Sequence, residues 1–446
     1  AGGSMKKRII LMSTVLVIIA ITLGGVFYIY KNILNIDTIY KGVTIENIDV
    51  SGKTMEQALE YIKDIKTNEI KKKSMKLIYG EKAFKIPLTD LGFSYDYEKA
   101  VEYAMQLGRE GNFLKRLKDI AKIKSGYNVP LESYYSVEMA ETIVNAISQE
   151  INTNAKNAEA KIVNGKINIS DHVIGKRVLQ EELLNLMDEN INKLEDITIP
   201  VEDVTPLVTK DMLLRINGII GEYSTSFKGS SKNRIENIKL SANAINNKLV
   251  LPGEEFSYNK ATGPRTAEYG YKEANVIIGG ELTPDVGGGV CQTSTTLYNA
   301  LLLADLTITE RHHHSIPVSY VPIGQDAAVA YGYLDLKFKN SFDFPVLLHT
   351  KVSGDRLYVY VYGDRNSKDY TVKITSQIVE TIKPQTKTIF DSSLNPGESI
   401  VLQSGRTGYR VVTYKSIIKD GKTISKKQIT SDHYKKKDYI YKVGPE

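Results

Sequence analysis

One cysteine occurs in the 446-residue chain, Cys291. Gly287, Gly288 and Gly289 stand just before it, and three of the six histidines, His312, His313 and His314, follow soon after. Leu297, Ala300, Leu301 and Ala304 recur at helical spacing, which puts Cys291 at or near the start of a helix. This pattern suits a cysteine nucleophile. A free thiol ionises near pH ~8.5, so little thiolate exists at neutral pH. A helix N-terminus sets partial positive charge beside the sulfur. An imidazole can pair with the thiolate or take its proton. The glycines permit positive φ and let a substrate backbone come close. They also leave N–H groups free to hold an oxyanion, and the amides of Cys291 and Gln292 are the candidates.

Ile308 and the alternating Ile316, Val318 and Tyr320 bracket the histidines, so the spacing predicts an extended segment. His312 and His314 then share a face and His313 points away. Either of the pair could act as the base. A carboxylate that orients it could come from Asp285, Asp326 or Asp335, and Asp326 follows the turn residues Pro322-Ile323-Gly324. Two histidines on one face could also bind zinc. Zinc needs a third protein ligand, and no other His, Asp or Glu pattern has that spacing, so no metal or cofactor is expected. Arg265 and Arg311 could hold a substrate carboxylate by a paired contact.

The elements that must position these residues form an α+β multidomain chain. Ile9 to Tyr30 is 22 residues without a charge, about the ~20 a bilayer-crossing helix needs. Lys6, Lys7 and Arg8 precede it, so the positive-inside bias leaves the N-terminus in the cytoplasm and everything after Lys31 outside. No small-x-small cleavage site follows, which reads as an uncleaved single-pass anchor. In that compartment structural cysteines come in pairs, so a lone one is a dimer link, a buried bystander or a reactive thiol, and the glycines and histidines around it favour the last. The leading Ala-Gly-Gly-Ser, residues 1–4, reads as a tag remnant before Met5, and residues 5–35 as the cytoplasmic tip and anchor. The formal charge is +6, three of it from Lys6, Lys7 and Arg8, and the remainder is too small to suggest a nucleic-acid partner.

Residues 36–208 read as two tandem α+β modules, 36–135 and 136–208. Each runs helix, hairpin, extended piece, helix. The hairpin turns fall at Tyr79-Gly80-Glu81 and Asn164-Gly165. His172 is the one histidine there and reads as a loop residue. A mixed α+β catalytic domain follows over 209–368. Helices are expected over Lys210–Ile220 and Asn233–Ile245. Strands are expected where Leu334, Leu336 and Phe338, and Tyr358, Tyr360 and Tyr362, alternate. Residues 369–446 have no helical period and carry Gly397, Gly405, Gly408, Gly421 and Gly444, which suggests a small all-β module for binding or spacing.

The run GGGVCQTSTTLYNALLLADLTITERHHHSIPVSYVPIGQDAAVAYGYLDLKFKN, with GPRTAEYGYKEANVIIGGEL before it, resembles the VanW family over residues 209–365. Residues 36–208 resemble the peptidoglycan-binding modules that precede such domains, through Gly108-Arg109-Glu110-Gly111. The last module resembles the G-five domain of cell-wall adhesion. The resemblance implies a cell-wall function. Some VanW-domain proteins are similar in activity to L,D-transpeptidases, which join the third residues of two peptidoglycan stem peptides. It carries the nucleophile onto Cys291 and, through the pattern E-R-x-x-H-S, the base onto His314, with His312 as runner-up. The expected partners are stem peptides, glycan and the membrane. A thiol carboxypeptidase or endopeptidase, or a non-catalytic wall-binding or glycopeptide-resistance accessory protein, are the alternatives.

Overall fold

The computed structural model describes residues 2–278 and 280–445. They divide into two units, one of residues up to 154 with 175–204, the other of residues 155–174 with 205 onward.

The first unit opens with the apolar helix Gly2–Ile29, which is long and apolar enough to cross a membrane. Beyond it lie two cores. One gathers Leu34 to Ile62 with Tyr97 to Val129, the other Ile70 to Phe93 with Ala140 to Ile199. The helices begin where a side chain satisfies a first-turn N–H group. Thr54 and Gln57 form a reciprocal capping box before Met55–Ile70, and Asp96, Asn112 and Ser136 cap the next three helices. The expected hairpin Ser74–Tyr79 with Lys82–Pro87 is present, and Ile197–Thr198 adds to it in parallel. The predicted split into modules 36–135 and 136–208 does not follow these cores. Segments on both sides of residue 135 share one core, because the periodicity finds elements and not their partners. The Gly108–Gly111 motif has a local task. The Arg109 guanidinium donates to the carbonyls of Ile36 (2.9 Å) and Thr38 (2.8 Å) and lies over the Tyr40 ring.

The second unit contains the expected hairpin at Asn164-Gly165, strands Ala160–Val163 and Lys166–Ile169. Both turn residues have positive φ, 51° and 76°, as a two-residue hairpin turn requires. Its Ala160 and Ile162 pack with Val208, Leu213, Leu347 and Tyr362, so this hairpin belongs to the second unit rather than to a second N-terminal module.

The main sheet of this unit is antiparallel, in the order Gly218–Ser226, Arg356–Gly363, Val346–Ser353, Lys248–Val250. Helices Lys232–Ile245 and Val290–Leu303 share one core with it. The helix expected over Lys210–Ile220 stops at Leu214. Pairing of Gly218 onward with the Arg356–Gly363 strand overrides helix propensity. Arg215 and Asn217 anchor the junction on Asp364. A second sheet orders Glu255–Ser257, Lys337–Lys339 and Thr307–Glu310. The last module holds two three-stranded sheets. Thr371–Ile382, Gly408–Lys419 and Lys422–Tyr434 form one, and Thr386–Phe390, Tyr439–Val443 and Ser399–Gln403 the other.

Candidate active site

Helix Val290–Leu303 starts one residue before Cys291. Its N-cap is Gly289 at φ 108°, and a Cβ there would lie 2.9 Å from the Arg234 carbonyl oxygen. At Gly288 a Cβ would meet the Ala274 carbonyl at 2.6 Å. Only glycine lets the chain turn this tightly into the helix. The helix is buried along most of its length although its first turns are polar. Each polar side chain has a fixed partner. Thr293 meets Ser241 at 2.7 Å and Thr296 meets Thr225 at 2.8 Å. On another side Ser294 donates to the Ala327 carbonyl (2.7 Å). Thr295 accepts from the Ala327 N–H (2.9 Å), and Asn299 donates to the Gln325 carbonyl (2.8 Å). These bonds fasten the segment around Gln325 and Ala327 to the helix that carries Cys291.

That segment carries Asp326. Its Oδ2 accepts from His314 Nδ1 at 2.6 Å and from the His314 backbone N–H at 2.7 Å. His314 is 7% exposed and Asp326 1%. The His314 and Cys291 side chains lie close enough to act on each other's ionisation, and with Nδ1 held by Asp326, Nε2 is the nitrogen left to face the sulfur. The half-buried thiol also points at the Val329 carbonyl, 3.5 Å away. The result is a thiol–imidazole–carboxylate relay, the side-chain order that a cysteine nucleophile, its base and an orienting acid would need.

Electrostatics favour the charged pair. Burial pushes the Cys291 thiol up, but the His314 hydrogen bond and charge, the Val329 contact and the nearby Arg265 charge outweigh it, so the thiol lies below its ordinary range. Burial pulls His314 down, yet the hydrogen bonds to Asp326 and Cys291 and their negative charges raise it to about 9. Burial pushes Asp326 up, while His314 and Tyr434 more than offset it and hold it at about 2.

The remaining candidates separate clearly. The histidine run is extended but carries only the single bridge His312 to Ala328 instead of a strand. His312 turns to Glu310 (3.1 Å) and its side chain is 40% exposed. His313 bonds the His314 carbonyl and packs its ring edge-on to Tyr434. Asp335 is occupied by Ser257 and the Asn259 amide, and Asp285 is exposed and bonds its neighbour's amide. Among the described residues no group of three His, Cys, Asp or Glu side chains could hold a metal.

A family model described as VanW like protein matches residues 233–362, which include the whole relay. A peptidoglycan binding domain model matches 84–199, and a G5 domain model matches 373–446. The chain carries VanW, peptidoglycan-binding and G5 domains. Over 168 residues it is 42% identical to "Uncharacterized protein YoaR" of Bacillus subtilis, covering 37% of this chain and 55% of that one. Over 139 residues it is 31% identical to "Vancomycin B-type resistance protein VanW" of Enterococcus faecalis, covering 30% and 50%. The chain thus spans about half the length of these curated relatives. The solved G5 domain of HP0197 is 27% identical over 17% of this chain and 97% of its own, with a TM-score of 0.13.

Two residues of the G5 domain reach the VanW site, and sequence reasoning missed both. Tyr434 donates to Asp326 Oδ1 (2.5 Å) and accepts from the Gly324 N–H (2.9 Å). Asp432 pairs with Arg311 Nη1 at 2.6 Å. Arg311 also donates to the Asp326 carbonyl, and its side chain is 6% exposed, so its guanidinium is committed inside the protein rather than offered to a substrate carboxylate. No local pattern marks Tyr434, which lies 108 residues from Asp326.

The glycine turn limits which amides can hold an oxyanion. Gln292 N–H donates to the Gly289 carbonyl, Val290 N–H to Gly287 and Gly287 N–H to Lys272. The Gln292 side chain bonds Thr225 and Ser226, so Gln292 buttresses the helix. Among the described residues the amides of Gly288, Gly289 and Cys291 have no hydrogen-bond acceptor.

Proposed function

We propose that the VanW domain is a cysteine-dependent peptidoglycan L,D-transpeptidase. The observation that carries this reading is the buried Asp326–His314 pair set against a half-buried Cys291 at a helix start. The reactive form is the thiolate beside the imidazolium, which the lowered thiol and raised imidazole favour. The thiolate attacks the carbonyl that joins the third residue of a donor stem to its terminal D-alanine. The Cys291 amide, with Gly288 or Gly289, stabilises the oxyanion. As the tetrahedral centre collapses, the C–N bond breaks, His314 gives its proton to the leaving amine, and a thioester remains. The side-chain amine of an acceptor stem's third residue then attacks. His314 takes its proton, the C–S bond breaks, and the thiolate returns with the cross-link formed.

The flanking domains support the same setting. A peptidoglycan-binding domain and a G5 domain suit a cell-wall partner, and the apolar helix Gly2–Ile29 suits an anchor in the cell membrane with the later domains outside. Incubation with tetrapeptide muropeptides is the test. A thioester mass shift should appear on the protein, disappear in Cys291→Ala, and precede dimer formation. Dimers made at the normal rate by Cys291→Ala would end the proposal. A thioester released to water, even with an amine acceptor present, would assign a carboxypeptidase instead. No thioester and ordinary iodoacetamide reactivity would leave a binding or accessory protein.

A further inference from the structure

Arg265 is held beside the nucleophile with nothing to bind. Its Nε, Nη1 and Nη2 are all buried and have no hydrogen-bond partner among the described residues. The guanidinium lies over two rings, Tyr258 at 5.6 Å and Tyr331 at 5.8 Å. The Tyr258 hydroxyl donates to the carbonyl of Val290, the residue next to Cys291. The glycine turn packs on the arginine stem, since a Cβ on Gly287 would lie 2.9 Å from the Arg265 Cβ. The buried Tyr271 hydroxyl is a further donor without a partner, and Arg265's charge acts on it. Aromatic faces attract a cation but accept none of its in-plane N–H bonds. A buried guanidinium with idle donors is costly unless an anion completes it. One of the two rings, Tyr331, is 48% exposed and part of a turn.

We propose that Arg265, with the Tyr271 hydroxyl, forms the subsite for the free α-carboxylate of the acyl donor's terminal residue. The inference rests on the acyl-transfer reading of Cys291 and names the residues that select its donor. A carboxylate held beside the glycine turn that leads into Cys291 suits the residue just after the attacked carbonyl. The favoured donor therefore ends one residue beyond the scissile bond, as a tetrapeptide stem does. Internal amide bonds, with no charge at that position, are poor substrates. The match is bidentate, because a planar fork faces a planar carboxylate.

The test compares a tetrapeptide donor bearing a free C-terminal acid with its C-terminal amide. Acylation of Cys291 is followed by intact mass, and binding to Cys291→Ala by calorimetry. The wild-type protein should acylate on the acid at least about 100-fold faster than on the amide, and Cys291→Ala should bind the acid more tightly by a similar factor. In Arg265→Gln the acid-to-amide ratio should fall toward one, and Arg265→Lys should restore part of it. A ratio is insensitive to any loss of thiolate, which slows both donors alike. Equal rates and equal binding of acid and amide in the wild type would overturn the subsite. So would Arg265→Gln slowing both donors by one factor, which would make Arg265 a partner of the thiolate only. Selective binding of the acid without any acylation would keep the subsite and remove the transferase reading instead.

Discussion

At the residue scale the thiol's reactivity is set by a contest of opposing effects. Burial alone would keep Cys291 protonated, and the imidazolium and Arg265 reverse that. Iodoacetamide alkylation should therefore show a midpoint below an ordinary thiol's, and His314→Ala should move that midpoint upward, read from rate against pH. The alkaline side belongs to His314. Its folded value is raised to about 9, so the proton needed by the leaving amine is present below that pH and lost above it. The acylation rate should fall as pH passes about 9, with the thiol and imidazole titrating as a coupled pair. Asp326→Asn would leave the packing nearly intact but favour the wrong imidazole tautomer. Loss of the equivalent carboxylate in a hydrolase triad costs on the order of 10⁴-fold in turnover, and a comparable loss is expected here in single-turnover acylation.

At the element scale the site depends on how one polar helix is stapled to one loop. Thr295 both accepts from the Ala327 N–H and donates to its carbonyl, beside the residue that orients the histidine. Thr295→Val leaves the buried Ala327 N–H without a partner, while Ser294 still holds the carbonyl, and should cost about 1–3 kcal/mol in denaturant unfolding. This level was partly legible in the sequence. The apolar period of Leu297, Ala300, Leu301 and Ala304 located the helix that carries Cys291, and the glycines located its tight start. The Lys210 helix was read too long because a local pattern carries no information about the strand that pairs with Gly218. The histidine run kept its extended path, but Glu310 drew His312 away from its expected companion. The alternation rule gives direction along a ladder, and here only one bridge of ladder exists.

At the scale of the second unit, the G5 domain is part of the site's framework, which no reading of residues 369–446 by themselves could reveal. Arg311 and Asp432 are an ion pair with side chains 6% and 4% exposed. Removing one partner of such a pair strands the other, so Asp432→Ala should lower stability by about 3–5 kcal/mol in denaturant unfolding. Tyr434→Phe is milder in bulk but more direct in effect. It takes a hydrogen bond from Asp326 and an acceptor from Gly324 N–H. The carboxylate is then less firmly fixed, and acylation should slow while iodoacetamide still reaches the thiol.

The Tyr434–Asp326 bond also has a meaning in time. A polypeptide is made from its first residue to its last, and domains fold as they emerge. Cys291, His314 and Asp326 leave the ribosome before Tyr434, which lies 108 residues beyond Asp326. A chain caught part-way holds the sulfur and the ring without the hydroxyl that fixes their carboxylate. The carboxylate is fully fixed only once the G5 strand that carries Tyr434 has been made and folded.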